Sequence, residues 1–392
     1  MGIAKNIEVA IEKGSWIRKL FETGNELKRQ FGADNVQDLS IGNPVIEPPA
    51  EFFDTLRELS TRRNEGLHRY MTNAGHLRVR QAVADSLKRK GIMETDSSKI
   101  VMCVGAGGGL NVIFKTLLDP GDEIILLTPF FPEYFFYIQN HGGVSVNVDT
   151  RDDFQLDLEK IEKAITPKTK GILINSPNNP SGAVYPEPDL KALRELLERV
   201  NAKRSSPVFL ISDEPYREIY YKEGIPPSPV TGTPYGILVY SWSKSLSIPG
   251  ERIGYIAVPL DCPIRNLVDG FICCTRILGF INAPATQQFI VEKLLDVRVD
   301  LSTYRRDRKL VLDTLNEAGY EVIAPEGAFY IFPKSPIPDD VLFCQTALNK
   351  YRIVIVPGRG FYRPGHFRIS FAVEQTVLLK AMEKLKLLRK EF

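Results

Sequence analysis

SWSKSLSIPGERIGY, residues 241–255, sets Lys244 among serines ahead of Arg252 and directly follows the apolar run ILVY, 237–240. An apolar run with a sharp polar end reads as a buried strand that empties into a loop. A loop lysine is ordinarily solvated. Beyond a buried strand, beside Ser241, Ser243 and Arg252, Lys244 instead stands where a desolvated amine becomes a carbonyl nucleophile, and the two hydroxyls and the guanidinium suit a dianion.

The same texture recurs on either side, in IVMCVG (100–105), EIILLTP (123–129), VSVNVD (144–149), GILINSP (171–177), VFLISDE (208–214) and IGYIAVP (253–259). Helix-period stretches such as LRVRQAVADSLKRKG (77–91) and EPDLKALRELLERV (187–200) separate several of these runs. Strands alternating with helices predict an α/β fold with a mainly parallel central sheet and helices on both faces. A helix-like opening covers about Trp16 to Phe31, and from about residue 286 a charged helical stretch leads into the short runs GAFYIFP, RIVIVPG and HFRISFA and a final amphipathic helix. The expected division is a large domain over 46–285 and a smaller α+β domain from 1–45 and 286–392.

Composition narrows the function. At 392 residues the chain has room for a large core and two domains. The 50 basic and 48 acidic residues are interspersed and leave a formal charge of +2, so no single-sign field advertises nucleic acid or an anionic membrane. No run approaches the roughly 20 apolar residues of a spanning helix, and the opening MGIAKNIEVAIEKGSW lacks a signal-peptide core, which predicts a cytoplasmic protein. The five cysteines lie mostly near apolar segments, form no C-x-x-C pair and read as reduced, buried thiols, and no metal site is expected. Small-molecule chemistry is the class that remains.

Polar clusters follow four of the buried runs: GAGGG (105–109), NSPNNPSG (175–182), SDEPY (212–216) and SWSKS (241–245). Ligands of open α/β sheets bind beyond the carboxyl ends of the strands, so the four should converge on one cleft. The glycine loop either makes a bare strand-to-helix turn or offers helix N–H groups to a phosphate. The dinucleotide pattern G-x-G-x-x-G fails at Leu110, which disfavours a nicotinamide cofactor. Asp213 at a strand end either caps a helix or, if buried, demands a cation. Asn179 lies in a segment that reads as a turn, and Tyr216 is compatible with ordinary core. Arg368, between apolar residues of HFRISFA, needs an anion, best a bidentate carboxylate from a ligand or a protein acid.

Together, GNP (42–44), RY (69–70), GAGGG, NSPNNPSG, SDEPY, SWSKSLSIPGERIGY and FRISFA (367–372) resemble, in order and through nearly the whole chain, the class I/II aminotransferases, pyridoxal-phosphate enzymes of the aspartate aminotransferase superfamily with the type I fold. The resemblance implies that Lys244 forms the Schiff base with pyridoxal 5′-phosphate and moves the substrate proton. It implies that Asp213 keeps the pyridine nitrogen protonated and that Tyr216 and Asn179 hydrogen-bond the ring's phenolic oxygen. Phe131 matches the aromatic that stacks on the ring, with Phe130 the alternative. Ser241, Ser243, Arg252 and the amides of Ala106 and Gly107 match the phosphate ligands. Tyr70 matches one that reaches in from a neighbouring subunit, which implies a homodimer with shared sites. Arg368 and the backbone of Gly42 match the groups that hold the substrate α-carboxylate. Two departures stand out. Gly107 occupies the place where acidic-substrate relatives of this branch often carry a lysine, and the loop has no serine or threonine hydroxyl.

The implied reaction is transamination between an L-amino acid and a 2-oxo acid, with 2-oxoglutarate or glutamate expected as one partner. A lyase, decarboxylase, racemase or cyclopropane-forming synthase on the same scaffold would keep every cofactor residue named. A cofactor-sensing transcription regulator would need a DNA-binding module for which the 40 or so residues before GNP leave no room. Selectivity for the amino donor is expected to rest on pocket residues such as Ile17, Phe329 and Tyr330 and on the partner subunit.

Overall fold

The computed structural model describes residues 2–12, 16–61 and 67–392. Its strands, in chain order, are β1 (Gln37–Asp38), β2 (Ile100–Cys103), β3 (Glu123–Thr128), β4 (Val144–Asp149), β5 (Thr169–Asn175), β6 (Phe209–Asp213), β7 (Gly236–Ser241), β8 (Gly254–Ala257), β9 (Tyr330–Ile331), β10 (Ile353–Val354), β11 (Val356–Pro357) and β12 (Phe367–Ser370). Seven of them form the central sheet in the order β2-β8-β7-β6-β5-β3-β4. Every neighbouring pair is parallel except those of β8, which runs antiparallel to both β2 and β7. The central strands are apolar on both faces because helices cover both, and the helix-period stretches form as read: Leu77–Arg89 and Glu187–Asn201. The second has a proline in its first turn with Glu187 and Asp189, and buries Leu190, Leu193, Leu196 and Leu197, a stripe at helical spacing facing the sheet.

Register decides what meets at the strand ends. Asn175 of β5 lies opposite Asp213 of β6, and Asp213 lies opposite Val239 of β7, which ends two residues later at Ser241. The antiparallel pairing of β2 with β8 sets Cys103 against Gly254, so the glycine loop after β2 and the segment before β8, which carries Arg252, lie together. One hydrophobic cluster lies on each face of the sheet. A third joins Leu39 from the N-terminal region to Tyr304, Phe329, Phe343, Phe367 and Leu385, and it also takes in Tyr216 and Ile219. The run RIVIVPG does not form one strand. It splits into β10, parallel to β1, and β11, antiparallel to β12, because its two halves serve different sheets. All five cysteines are free; Cys103, Cys274 and Cys344 are buried as expected, but Cys262 is half-buried and Cys273 is exposed, and among the described residues no helix is long and apolar enough to cross a membrane.

One buried ion pair lies just beyond β6. Arg217 Nε donates to Glu214 Oε2 at 2.6 Å, with side-chain exposures of 3% and 2%, and Ser212 and Ser228 donate their hydroxyls to Glu214 Oε1 at 2.7 and 2.6 Å. The carboxylate is fully satisfied, so removing one partner strands the other in the core. Arg217→Met is expected to lower unfolding free energy by roughly 3–5 kcal/mol in urea titrations, and adding Glu214→Gln should recover most of that loss.

Candidate active site

Beyond the carboxyl ends of β5, β6 and β7 lies a cavity lined by Gly42, Ala106, Gly107, Phe131, Asn179, Asp213, Tyr216, Ser241, Ser243, Lys244, Arg252 and Arg368. Of the residues matched to cofactor or carboxylate contacts, Tyr70 lies elsewhere. It is 90% exposed and borders a separate surface hollow formed by residues 67–71 and 280–286. Phe131 faces the cavity, edge-on to Tyr134 at 5.5 Å, whereas its neighbour Phe130 is buried and stacks on Tyr362 at 4.6 Å. Phe130 is therefore not a wall of this cavity.

The Lys244 amine donates to the Gly42 carbonyl at 2.8 Å and lies 5.6 Å from the Phe329 ring. Its pKa falls to about 8, first through burial and then through the charges of Arg252 and Arg368. Asp213 is buried on the strand end. Its Oδ2 accepts the Tyr134 hydroxyl at 2.5 Å, while its Oδ1 is enclosed and has no partner among the described residues. Burial pushes the Asp213 carboxyl up to about 7; the Tyr134 hydrogen bond opposes the rise and the neighbouring Glu214 adds to it. A carboxylate so placed is half-satisfied and turned toward the amine-bearing cavity.

Arg368 is 1% exposed and clamped between the rings of Tyr330 and Phe361, at 4.6 and 4.7 Å. It meets no acid among the described residues. Its Nη1 donates to Asn179 Oδ1 at 2.8 Å, its Nη2 to the Ser40 carbonyl, and its Nε is unpartnered. Asn179 is itself fixed by its N–H bond to Asn175 Oδ1 at 2.7 Å, and Asn175 Nδ2 donates to the Asp213 carbonyl at 2.8 Å. The Tyr216 and Tyr330 hydroxyls lie 2.9 Å apart, and burial raises both phenols above their ordinary pKa, so both stay neutral.

The glycine loop opens the helix Gly105–Leu117, whose first N–H groups have no intrahelical partner. Gly105 has φ +67°, and a Cβ there would come within 2.5 Å of Arg252 Nη2, so a backbone without side chain is what lets the guanidinium lie against the loop. Arg252 also donates to the Pro249 carbonyl at 2.8 Å, and the Ser241 hydroxyl donates to that of Ser243 at 3.2 Å. Two hydroxyls, a guanidinium and a helix N-terminus line the same cavity, groups of a kind that suit an anion.

Three polar lining residues had no role in the sequence reading: Tyr134, Tyr137 and Asn175. Asn175 was visible as the first residue of NSPNNPSG. Tyr134 follows Phe131 in TPFFPEY, yet nothing local couples it to a strand nearly eighty residues on. Tyr330 lines the cavity and Phe329 flanks Lys244, as candidates for selectivity should, whereas the Ile17 side chain lies outside the described residues.

Comparison with known proteins accords with this geometry. The family model for aminotransferase class I and II matches residues 34–385. A probable aspartate/prephenate aminotransferase of Thermus aquaticus is 33% identical over 366 residues, 92% of each chain. A probable N-acetyl-LL-diaminopimelate aminotransferase of Bacillus subtilis is 32% identical over 362 residues, 90% of this chain and 89% of that one. The crystal structure of an aminotransferase from Eubacterium rectale superposes with a TM-score of 0.95 at 35% identity, covering 100% of this chain and 99% of that one. The chain belongs to the class I and II aminotransferases, a family that in general depends on pyridoxal phosphate, and it is an amino-acid transaminase, moving an amino group between an amino acid and a 2-oxo acid.

Proposed function

We propose that the cavity binds pyridoxal 5′-phosphate, that Arg368 holds the substrate α-carboxylate, and that two copies of the chain share their sites through Tyr70. The observation that carries the reading is the buried, unpartnered Oδ1 of Asp213 in the same cavity as the weakly basic amine of Lys244. A protonated pyridine ring supplies the cation that Asp213 lacks, and the anion site between Gly105 and Arg252 suits a phosphate dianion.

When bound, the cofactor supplies an aldehyde that condenses with amines and a cationic ring that draws electrons from the substrate's α-carbon. The chain does the rest. Lys244 Nζ, whose lowered pKa of about 8 leaves a fraction of it uncharged near neutral pH, would be the amine that anchors the aldehyde and the group that takes and returns the proton at the substrate α-carbon. Asp213 Oδ1 would hold the ring N–H. Tyr216 and Asn179 would donate to the ring oxygen, and Phe131 would stack on the ring. Ser241, Ser243, Arg252 and the Ala106 and Gly107 amides would hold the phosphate. Arg368 already has its planar fork fixed by two aromatic rings and Asn179, so a carboxylate meets a preorganised partner, with Gly42 beside it. In the domain division that fits these roles, 46–285 carries the cofactor while 1–45 and 286–392 bring Gly42 and Arg368 to the substrate. The relatives' names span chemically different donors, so the amino donor is left to measurement.

Loaded enzyme mixed singly with L-amino acids, without acceptor, should release one equivalent of 2-oxo acid and retain the nitrogen as pyridoxamine phosphate. Release of carbon dioxide, ammonia with side-chain loss, or the D-enantiomer would assign a different reaction.

Arg368→Lys should weaken all α-amino acids by a similar factor, about 10- to 100-fold in kcat/KM, while leaving cofactor absorbance intact. A loss confined to one amino acid would show that Arg368 reads side chains instead.

Since burial and two cations favour the neutral amine, modification of Lys244 by an amine-reactive reagent in cofactor-free protein should rise with pH around a midpoint of about 8. Arg252→Met removes one of those cations and should move the midpoint up. Mixing an inactive Tyr70 variant with an inactive Lys244 variant should restore activity through hybrids holding one intact site; no recovery despite proven subunit exchange would rule out sharing.

A further inference from the structure

The glycine loop has no hydroxyl of its own, yet one reaches it from another element. Tyr137, on the helix Glu133–Gln139, lines the same cavity, and its hydroxyl lies 3.1 Å from where a Cβ on Gly107 would stand. That is close to where a serine or threonine at 107 would offer its Oγ. Among the described residues no hydrogen bond engages this hydroxyl. The phenol keeps its proton: burial, then Glu133 and Asp213, push its pKa up to about 12, with Arg252 opposing.

We propose that Tyr137 is a phosphate ligand, donating its hydroxyl to the cofactor phosphate at the mouth of the glycine loop. This rests on the reading of the cavity as a pyridoxal phosphate site. A neutral O–H donor beside Arg252 and the unpaired amides of the Gly105–Leu117 helix adds a charge-assisted hydrogen bond to an anion without adding a charge. It also gives Gly107 a reason. The phenol needs the space beside the loop, and a bulky side chain at 107 would run into it. Positions 107 and 137 thus act as one unit, a bare backbone answered by a long-reaching hydroxyl.

The test compares pyridoxal phosphate with pyridoxal, which lacks the phosphate, binding to cofactor-free protein followed by absorbance and fluorescence. Tyr137→Phe should weaken pyridoxal phosphate about 10- to 100-fold, the range for one hydrogen bond to a charged group, and leave pyridoxal unchanged. Gly107→Ser combined with Tyr137→Phe should recover part of the loss, since the serine puts a hydroxyl back at the loop and the missing phenolic oxygen makes room for it. Equal weakening of both compounds would mean a general packing role and overturns the proposal. So does unchanged binding of both, including the case in which only the KM for amino acids moves and Tyr137 faces the substrate. If the wild-type chain binds neither compound, the cofactor reading itself fails, before any variant is compared.

Discussion

A carboxylate taken out of water and given no cation is the constraint on which this site turns. Asp213 ends a central strand of an apolar sheet, buried on every side except toward the cavity, and the chain answers it with a single hydroxyl, that of Tyr134. Its neighbour Glu214 has the opposite fate. Alternation along the chain sends that carboxylate to the far side, where Arg217 and two serines satisfy it completely. One acid is thereby locked into the scaffold and the adjacent one left with an unpartnered oxygen at the cavity. The protein tolerates the incomplete solvation of Asp213 because a large, well-packed sheet over-determines its position.

The positive groups are distributed with the same logic. Lys244, Arg252 and Arg368 line one cavity, and burial, with the repulsion of the two arginines added, loosens the proton on the lysine, the member proposed to act through its lone pair. The arginines keep theirs, since guanidinium protons are far harder to remove. Arg368 is held by neutral partners and ring faces rather than by an acid, so a carboxylate arriving there displaces no ion pair. Tyr330 ties these parts together: its face covers Arg368 while its hydroxyl meets that of Tyr216.

Much of this was legible in the sequence. The apolar runs and the helix-period stretches mark the layers of an α/β fold through local periodicity, which needs no knowledge of what packs where. Lys244, Asp213 and Arg368 were legible for a related reason. Each is a charged residue in or at the end of an apolar run, and charge in such a place is costly enough to need a function or a partner. The ordered motifs around them carried the family.

What the sequence by itself determined is therefore the class of fold, the family and the residue types brought to the cavity, because these follow from periodicity and from the chemistry of single side chains. The tertiary structure alone decided which residues meet. The antiparallel insertion of β8 is a pairing between distant segments that carry no orientation signal, and it is what lays Arg252 on the glycine loop. Phe130 and Phe131 are adjacent and alike in sequence, and only the path of the backbone turns one into the core and the other into the cavity. Tyr134 and Tyr137 carry no mark in the sequence; folding brings one to Asp213 and the other to Gly107. A tyrosine, apolar in body and polar at its tip, sits as readily in core as at a surface, so its own surroundings in the chain give no sign of the partner that makes it matter.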